Sequence, residues 1–132
     1  MKSWIPLLTV VAGLGLLPGC FVGVDHGHSR EGVFTVEWSI DGGTHGSDCD
    51  YYGARYAYIT VESRYGTEDY ATVSCDAFGY DFYLPPGRYW VTVTMIDSRD
   101  DDVSTTIRTD EYSLYEDDSQ YVVADFPHDS FR

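Results

Sequence analysis

The sequence predicts an all-β protein, a single antiparallel β-sandwich of about seven strands. Three observations predict it. Apolar and polar residues alternate over several short stretches, turn residues separate those stretches, and beyond the N-terminal apolar run no helical period persists over about 11 residues.

The first strand begins at Val33. Phe34, Val36, Trp38 and Ile40 share one face, and Thr35, Glu37 and Ser39 share the other, the pattern of a half-buried strand. Residues 41–55 (DGGTHGSDCDYYGAR) form a Gly/Asp-rich loop that holds Cys49. A second strand over 56–63 turns Ala57, Ile59 and Val61 inward and Tyr56, Tyr58, Thr60 and Glu62 outward. Tyr65-Gly66-Thr67-Glu68 reads as a turn. The third strand, about 69–77, puts Ala71, Val73 and Cys75 on a small apolar face. Gly79 interrupts the pattern, and 80–84 is a short strand with Phe82 and Leu84 inward. Pro85-Pro86-Gly87 is a strong turn signal. Residues 88–97 are the clearest strand, with Tyr89, Val91, Val93 and Met95 on one face. An acidic turn at 98–102 follows, and then two strands at 103–109 and 120–126 flank a polar, Tyr-containing stretch at 111–118.

The N-terminus carries a different signal. Lys2 supplies a positive start, and residues 4–17 supply an apolar run of 14 residues. That is the build of a secretory signal and too short for the about 20 helical residues that cross a bilayer. The run ends in Leu17-Pro18-Gly19-Cys20, which resembles the lipobox of bacterial lipoprotein precursors. The resemblance implies cleavage after Gly19 and a lipid on Cys20. An ordinary signal peptide with a chance cysteine, or a short membrane anchor, would look similar. Cysteine arithmetic separates them. The chain has three cysteines, Cys20, Cys49 and Cys75. If lipid consumes Cys20, Cys49 and Cys75 remain as a pair in a compartment where disulfides persist.

Three segments follow: a signal peptide at 1–19, a lipidated start with a Gly-containing tether at 20–32, and the sandwich at 33–132. Removal of residues 1–19 leaves 113 of the 132 residues, of which about 100 suit one domain. A Cys49–Cys75 bridge closes a loop of about 27 residues, worth roughly 3–4 kcal/mol on the chain-entropy model. Phe21 follows the anchor cysteine. In lipoprotein families an Asp there favours retention in the inner membrane, so its absence favours the outer membrane.

Charge narrows the partners. The formal net charge is −14, and Lys2 is the only lysine. Nucleic acid is excluded as an expected partner, because phosphate binding needs clustered Lys and Arg. Attachment to anionic lipid heads by charge alone is disfavoured for the same reason. The membrane is then reached through the lipid on Cys20, and cations or basic partners fit the remaining balance.

The run Phe82-Tyr83-Leu84-Pro85-Pro86-Gly87-Arg88-Tyr89-Trp90-Val91-Thr92-Val93 resembles the L-x-P-G-x-Y-x-V-x-V hairpin of exported prealbumin-like and immunoglobulin-like sandwich modules. The resemblance implies the fold and no function, since such sandwiches host many roles. The chain departs from antibody-type domains. Cys49 lies in a loop, only 26 residues before Cys75, and no Trp stands between them, so a core inter-sheet bridge with a packed Trp is not indicated. In general organisation the chain is similar to small, Cys-paired surface lipoproteins of bacteria with large, GC-rich genomes.

Candidate binding groups are of three kinds. Asp48 and Asp50 flank Cys49; Asp97, Asp100, Asp101 and Asp102 crowd one turn; Glu116, Asp117 and Asp118 crowd another. Calcium takes hard oxygens from such loops, which makes Asp97, Asp100, Asp101 and Asp102 the calcium candidates and Ca2+ the one expected cofactor, although solvated turns explain them without an ion. His26 and His28 form an H-x-H beside Asp25, with His45 and His128 elsewhere; their place in the tether speaks against a metal site. Tyr56, Tyr58, Tyr70 and Trp90 fall on polar faces, where aromatic rows stack sugars or anchor partners, though strands favour such residues for their fit alone. Catalysis has little support, with neither G-x-S-x-G nor H-E-x-x-H present. The expected role is a lipid-anchored structural or interaction module of the cell envelope. The alternative is a ligand-binding module, for glycan on the aromatic face or calcium in the acidic loops.

Overall fold

The computed structural model describes residues 30–132, and the signal peptide, Cys20 and most of the expected tether lie outside them. Two sheets pack face to face. The smaller has the order β4-β1-β8, with β1 at Gly32–Ile40, β4 at Gly79–Leu84 and β8 at Ser119–Phe126. The larger has the order β3-β2-β5-β6, with β2 at Tyr56–Ser63, β3 at Gly66–Ser74, β5 at Gly87–Ile96 and β6 at Ile107–Arg108. A short β7, Tyr112–Leu114, also pairs with β5.

The core lies where the alternation places it. Phe34, Val36, Trp38 and Ile40 of β1 face Ala57, Ile59 and Val61 of β2 and Val91, Val93 and Met95 of β5, all essentially inaccessible to solvent. Val122, Ala124 and Phe126 of β8 complete the layer. Burial of these side chains against one another is the main force joining the sheets, since each large apolar group removed from water contributes roughly 1.5–3 kcal/mol.

Four details depart from the sequence expectations. First, the sandwich is antiparallel except for one pair. β1 and β8 run parallel, in register from Val33↔Ser119 to Ile40↔Phe126. Second, the turn between β2 and β3 falls at Arg64-Tyr65, because Gly66 (φ 119°) supplies the left-handed backbone there and Thr67 already pairs with Glu62. β3 accordingly stops at Ser74, and Cys75–Ala77 form a 3-10 turn ending in left-handed Phe78. Third, the loop at 41–55 contains a helix, α1 (Gly46–Tyr51), too short to show a period in sequence.

Fourth, the strand expected over 103–109 is reduced to β6, because hydroxyls replace its ladder bonds at both ends. The Met95 N–H donates to Ser104 Oγ (2.9 Å), and the Val91 N–H donates to Thr109 Oγ1 (3.0 Å). β7 arises inside the stretch expected to be a connection, because Leu114 turns fully into the core opposite Gly87.

Cys49 in α1 and Cys75 after β3 form a disulfide, with Cα atoms 6.1 Å apart. Both are buried. The bridge stands at the end of the sandwich and has a tryptophan neighbour that precedes both cysteines: Trp38 Nε1 donates to the Cys75 carbonyl.

Candidate functional site

β2, β3 and β5 turn a common outer face to solvent. Cross-strand register sets its rows: Ser74, Tyr56 and Ile96; Thr72, Tyr58 and Thr94; Tyr70, Thr60 and Thr92, the last paired with Arg108 of β6; then Glu62 with Trp90. The sequence-predicted Tyr56, Tyr58, Tyr70 and Trp90 therefore do share one face. They do not form one row. Tyr58 and Tyr70 are neighbours, with ring centroids 6.5 Å apart, and both are exposed. Trp90 lies four residues along the ladder from Tyr58, about 13 Å at strand rise. Its Nε1 donates to Glu62 (2.8 Å), and the Arg108 guanidinium lies 4.7 Å over its ring. One face of that ring is thus already covered by a cation, a favourable contact in itself. Tyr56 is half-buried beside Ile96.

A different feature is concave. At the end of the sandwich where β1 begins, the Arg64-Tyr65 turn, the Pro85-Pro86-Gly87 turn and the segment before β7 enclose a cleft of about 720 Å³. Buried Tyr89 lines it and donates its hydroxyl to the Pro85 carbonyl (2.6 Å). Burial, and secondarily the Glu68 carboxylate, push this phenol above its ordinary pKa, so it stays a neutral donor. Gly87 leaves room for that ring, since a Cβ there would meet the Tyr89 hydroxyl at 3.1 Å. Four charged groups line the cleft. Arg64 stacks over Tyr65, Arg88 lies 3.7 Å from Glu111, and Glu68 accepts a hydrogen bond from Ser63.

The sequence did not single out this cleft. A signal was present, because in a chain with few cations Arg64 and Arg88 each flank a turn. Only the antiparallel pairing of β2 with β5 brings those two turns to the same end.

The acidic turn is accounted for by its own backbone. Asp97 Oδ1 accepts the N–H groups of Arg99 (2.8 Å) and Asp101 (3.0 Å), and Asp100 takes the left-handed conformation (φ 65°) that such turns need. Asp102 pairs by a backbone bridge with Ile96. Asp117, also left-handed, meets the Arg30 guanidinium at 3.0 Å in an exposed ion pair between the segment before β1 and the β7–β8 turn. His45 precedes α1 without capping it, and the His128 N–H donates to Asp41 (2.7 Å). His26 and His28 lie outside the described residues. Among the described residues no three His, Cys, Asp or Glu side chains converge as a metal site, and no helix is long and apolar enough to cross a membrane.

Fold and geometry define a disulfide-tied β-sandwich with an aromatic outer face and a mixed-charge cleft at the end where β1 begins. No protein-family model matches the chain, and no curated protein matches it in sequence.

Proposed function

We propose that this chain is an exported, lipid-anchored envelope lipoprotein whose sandwich serves as a non-catalytic structural or interaction module. The observation that carries the reading is the Cys49–Cys75 disulfide. It accounts for two of three cysteines and leaves Cys20, directly after Leu17-Pro18-Gly19, for the lipid. A covalent lipid would also hold a chain of net charge −14 at an anionic surface against like-charge repulsion. Phe21 after the anchor favours the outer membrane. The exposed Tyr58–Tyr70 pair supports an interaction role, because tyrosines offer large contact area with a polar tip.

The same pair favours a second reading, glycan binding on this face, in which the two rings stack sugars. Calcium has no comparable support, because no three carboxylates converge on one point among the described residues.

Membrane fractionation of the wild-type chain and Cys20→Ser tests the anchor. The wild type is expected in the membrane pellet and the variant in the soluble fraction. Retention of Cys20→Ser in the pellet overturns the reading.

A further inference from the structure

We infer that the cleft at the β1 end of the sandwich is a binding site for the headgroup of a zwitterionic phospholipid, one that carries a phosphodiester and an ammonium. The inference rests in part on the anchor reading above, which supplies the location. Gly32, the first residue of β1, pairs with Leu84, immediately before the Pro85-Pro86-Gly87 wall of the cleft. Only residues 21–31 separate Cys20 from Gly32, a span of at most about 43 Å when fully extended. The cleft therefore lies at the end of the sandwich where β1 begins, within tether reach of a lipid on Cys20.

The chemistry of the lining is independent of that location. Arg64, in the turn after β2, and Arg88, near the start of β5, both line the cleft. A phosphodiester in the cleft accepts forked donors from these two guanidiniums. Glu68 and Glu111 line the same cleft, and Glu111 already stands 3.7 Å from Arg88. They suit an ammonium a few bonds from the phosphate. A purely anionic ligand would meet both carboxylates, and a purely cationic one would meet both arginines. A zwitterion satisfies all four charges. The volume, about 720 Å³, falls within the ~300–1,000 Å³ typical of small-ligand sites.

Two further features fit a bilayer surface. Tyr65 (79% exposed) and Tyr115 (67%) project at this same end, and tyrosine is favoured at the depth of lipid headgroups. The site can also be intrinsically weak. Anchoring makes headgroup capture intramolecular, at effective concentrations in the millimolar range, so a millimolar site is well occupied.

The test uses the full chain carrying Cys20→Ser, titrated with glycerophosphoethanolamine while the amide NMR signals of the cleft are followed. Saturable shifts confined to Arg64, Tyr65, Arg88 and Glu111 are expected, with affinity reduced at least about tenfold in Arg64→Gln and in Arg88→Gln. Arg108→Gln, on the outer face, is expected to bind normally. Melting curves verify that each exposed Arg variant is folded, and Tyr65→Ser provides a second weakened variant should either fail. Inorganic phosphate and ethanolamine, each alone, are expected to bind more weakly than the joined headgroup. No cleft shifts, equal binding of phosphate alone, or unchanged affinity in the Arg variants overturns the inference. Failure of the anchor reading would show separately, as Cys20→Ser remaining in membranes, while the titration still reports on the cleft.

Discussion

The indole Nε1 of Trp38 donates to the carbonyl oxygen of Cys75 at 2.8 Å, in a buried bond between the central strand of the smaller sheet and the disulfide end of β3. Trp38 is 1% exposed and Cys75 equally so. A polar atom at that depth has no water to replace a lost partner, so the bond fixes where the 3-10 turn after β3 meets β1. The disulfide holds the same turn to α1. Two connections of different chemistry thus converge on Cys75.

They can be separated. Reduction of the Cys49–Cys75 bridge restores the entropy of a loop of about 27 residues in the unfolded chain and is expected to cost roughly 3–4 kcal/mol. In a domain of this size that lowers the melting temperature by on the order of 10–20 °C. Calorimetry with and without reductant measures it, and an unchanged melt would show that the bridge contributes nothing.

Trp38→Phe keeps an aromatic ring in the core and leaves the Cys75 carbonyl without its donor. The expected loss is about 1–3 kcal/mol, the penalty for a buried polar group deprived of its partner, with a smaller addition from the lost ring volume. Chemical denaturation of oxidised protein reads this directly. A Trp38→Phe variant as stable as wild type would mean that the carbonyl finds another donor.

Ser104 stands in for a backbone acceptor. Its Oγ accepts the Met95 N–H and donates to the Thr105 carbonyl, both at 2.9 Å, at a site 1% exposed. Ser104→Ala removes both bonds and is expected to destabilise by about 1–3 kcal/mol. Thr109→Ala, the corresponding change at the other end of β6, is expected to cost less, because Thr109 is only part-buried and removing its hydroxyl opens an approach for solvent towards the Val91 N–H. Equal costs would contradict this account of why β6 is so short.

Stability at high pH follows from Tyr89. Burial raises its folded-state pKa, with Glu68 adding to the effect, so the folded protein holds this proton more tightly than the unfolded chain does. The contribution is fully present below the unfolded-state value of about 10 and is lost as pH rises through the higher folded value. Melting temperature is therefore expected to fall above about pH 10, and Tyr89→Phe to flatten that slope while also losing the hydrogen bond to Pro85. Tyrosine absorbance recorded alongside circular dichroism separates ionisation from unfolding. A slope unchanged in Tyr89→Phe would assign the alkaline transition to other phenols, of which Tyr121, raised by its hydrogen bond to Glu37, is the first to examine.

The sequence made some of this legible and hid the rest for identifiable reasons. The inward faces of β1, β2 and β5 were readable because half-buried strands must alternate, and Phe34, Ile59 and Val93 are buried as that alternation requires. The direction of β8 was not readable, since Val122 and Phe126 alternate the same way in a parallel or an antiparallel pair. β7 was hidden because three residues are too few for a period, and its pairing depends on Leu114 packing near the two glycines Gly32 and Gly87. The shared face of Tyr58 and Trp90 followed from parity alone. Their separation along the ladder, and the meeting of Arg64 and Arg88 in one cleft, depended on cross-strand pairing, which a single strand does not encode.

Gly32 offers the sharpest test of how the start of β1 is packed. A Cβ built there would lie 2.7 Å from Leu114 Cγ and 2.7 Å from the Tyr115 carbonyl oxygen. The Leu114 side chain is in the core and the carbonyl is backbone, so neither can yield by a simple rotation. Gly32→Ala must therefore push β1 away from β7 or displace the Tyr115 turn, an overpacking cost of roughly 1–3 kcal/mol. Because Arg30 binds Asp117 just outside this contact, the same displacement is expected to loosen that ion pair and the turn that carries it. Hydrogen exchange should then accelerate at Val33, whose N–H donates to the Asp118 carbonyl at 2.8 Å, while Ile40 at the far end of β1 stays protected. Acceleration spread evenly along β1 would instead indicate global destabilisation, and no acceleration at Val33 would show that the β7 side accommodates a methyl group without moving.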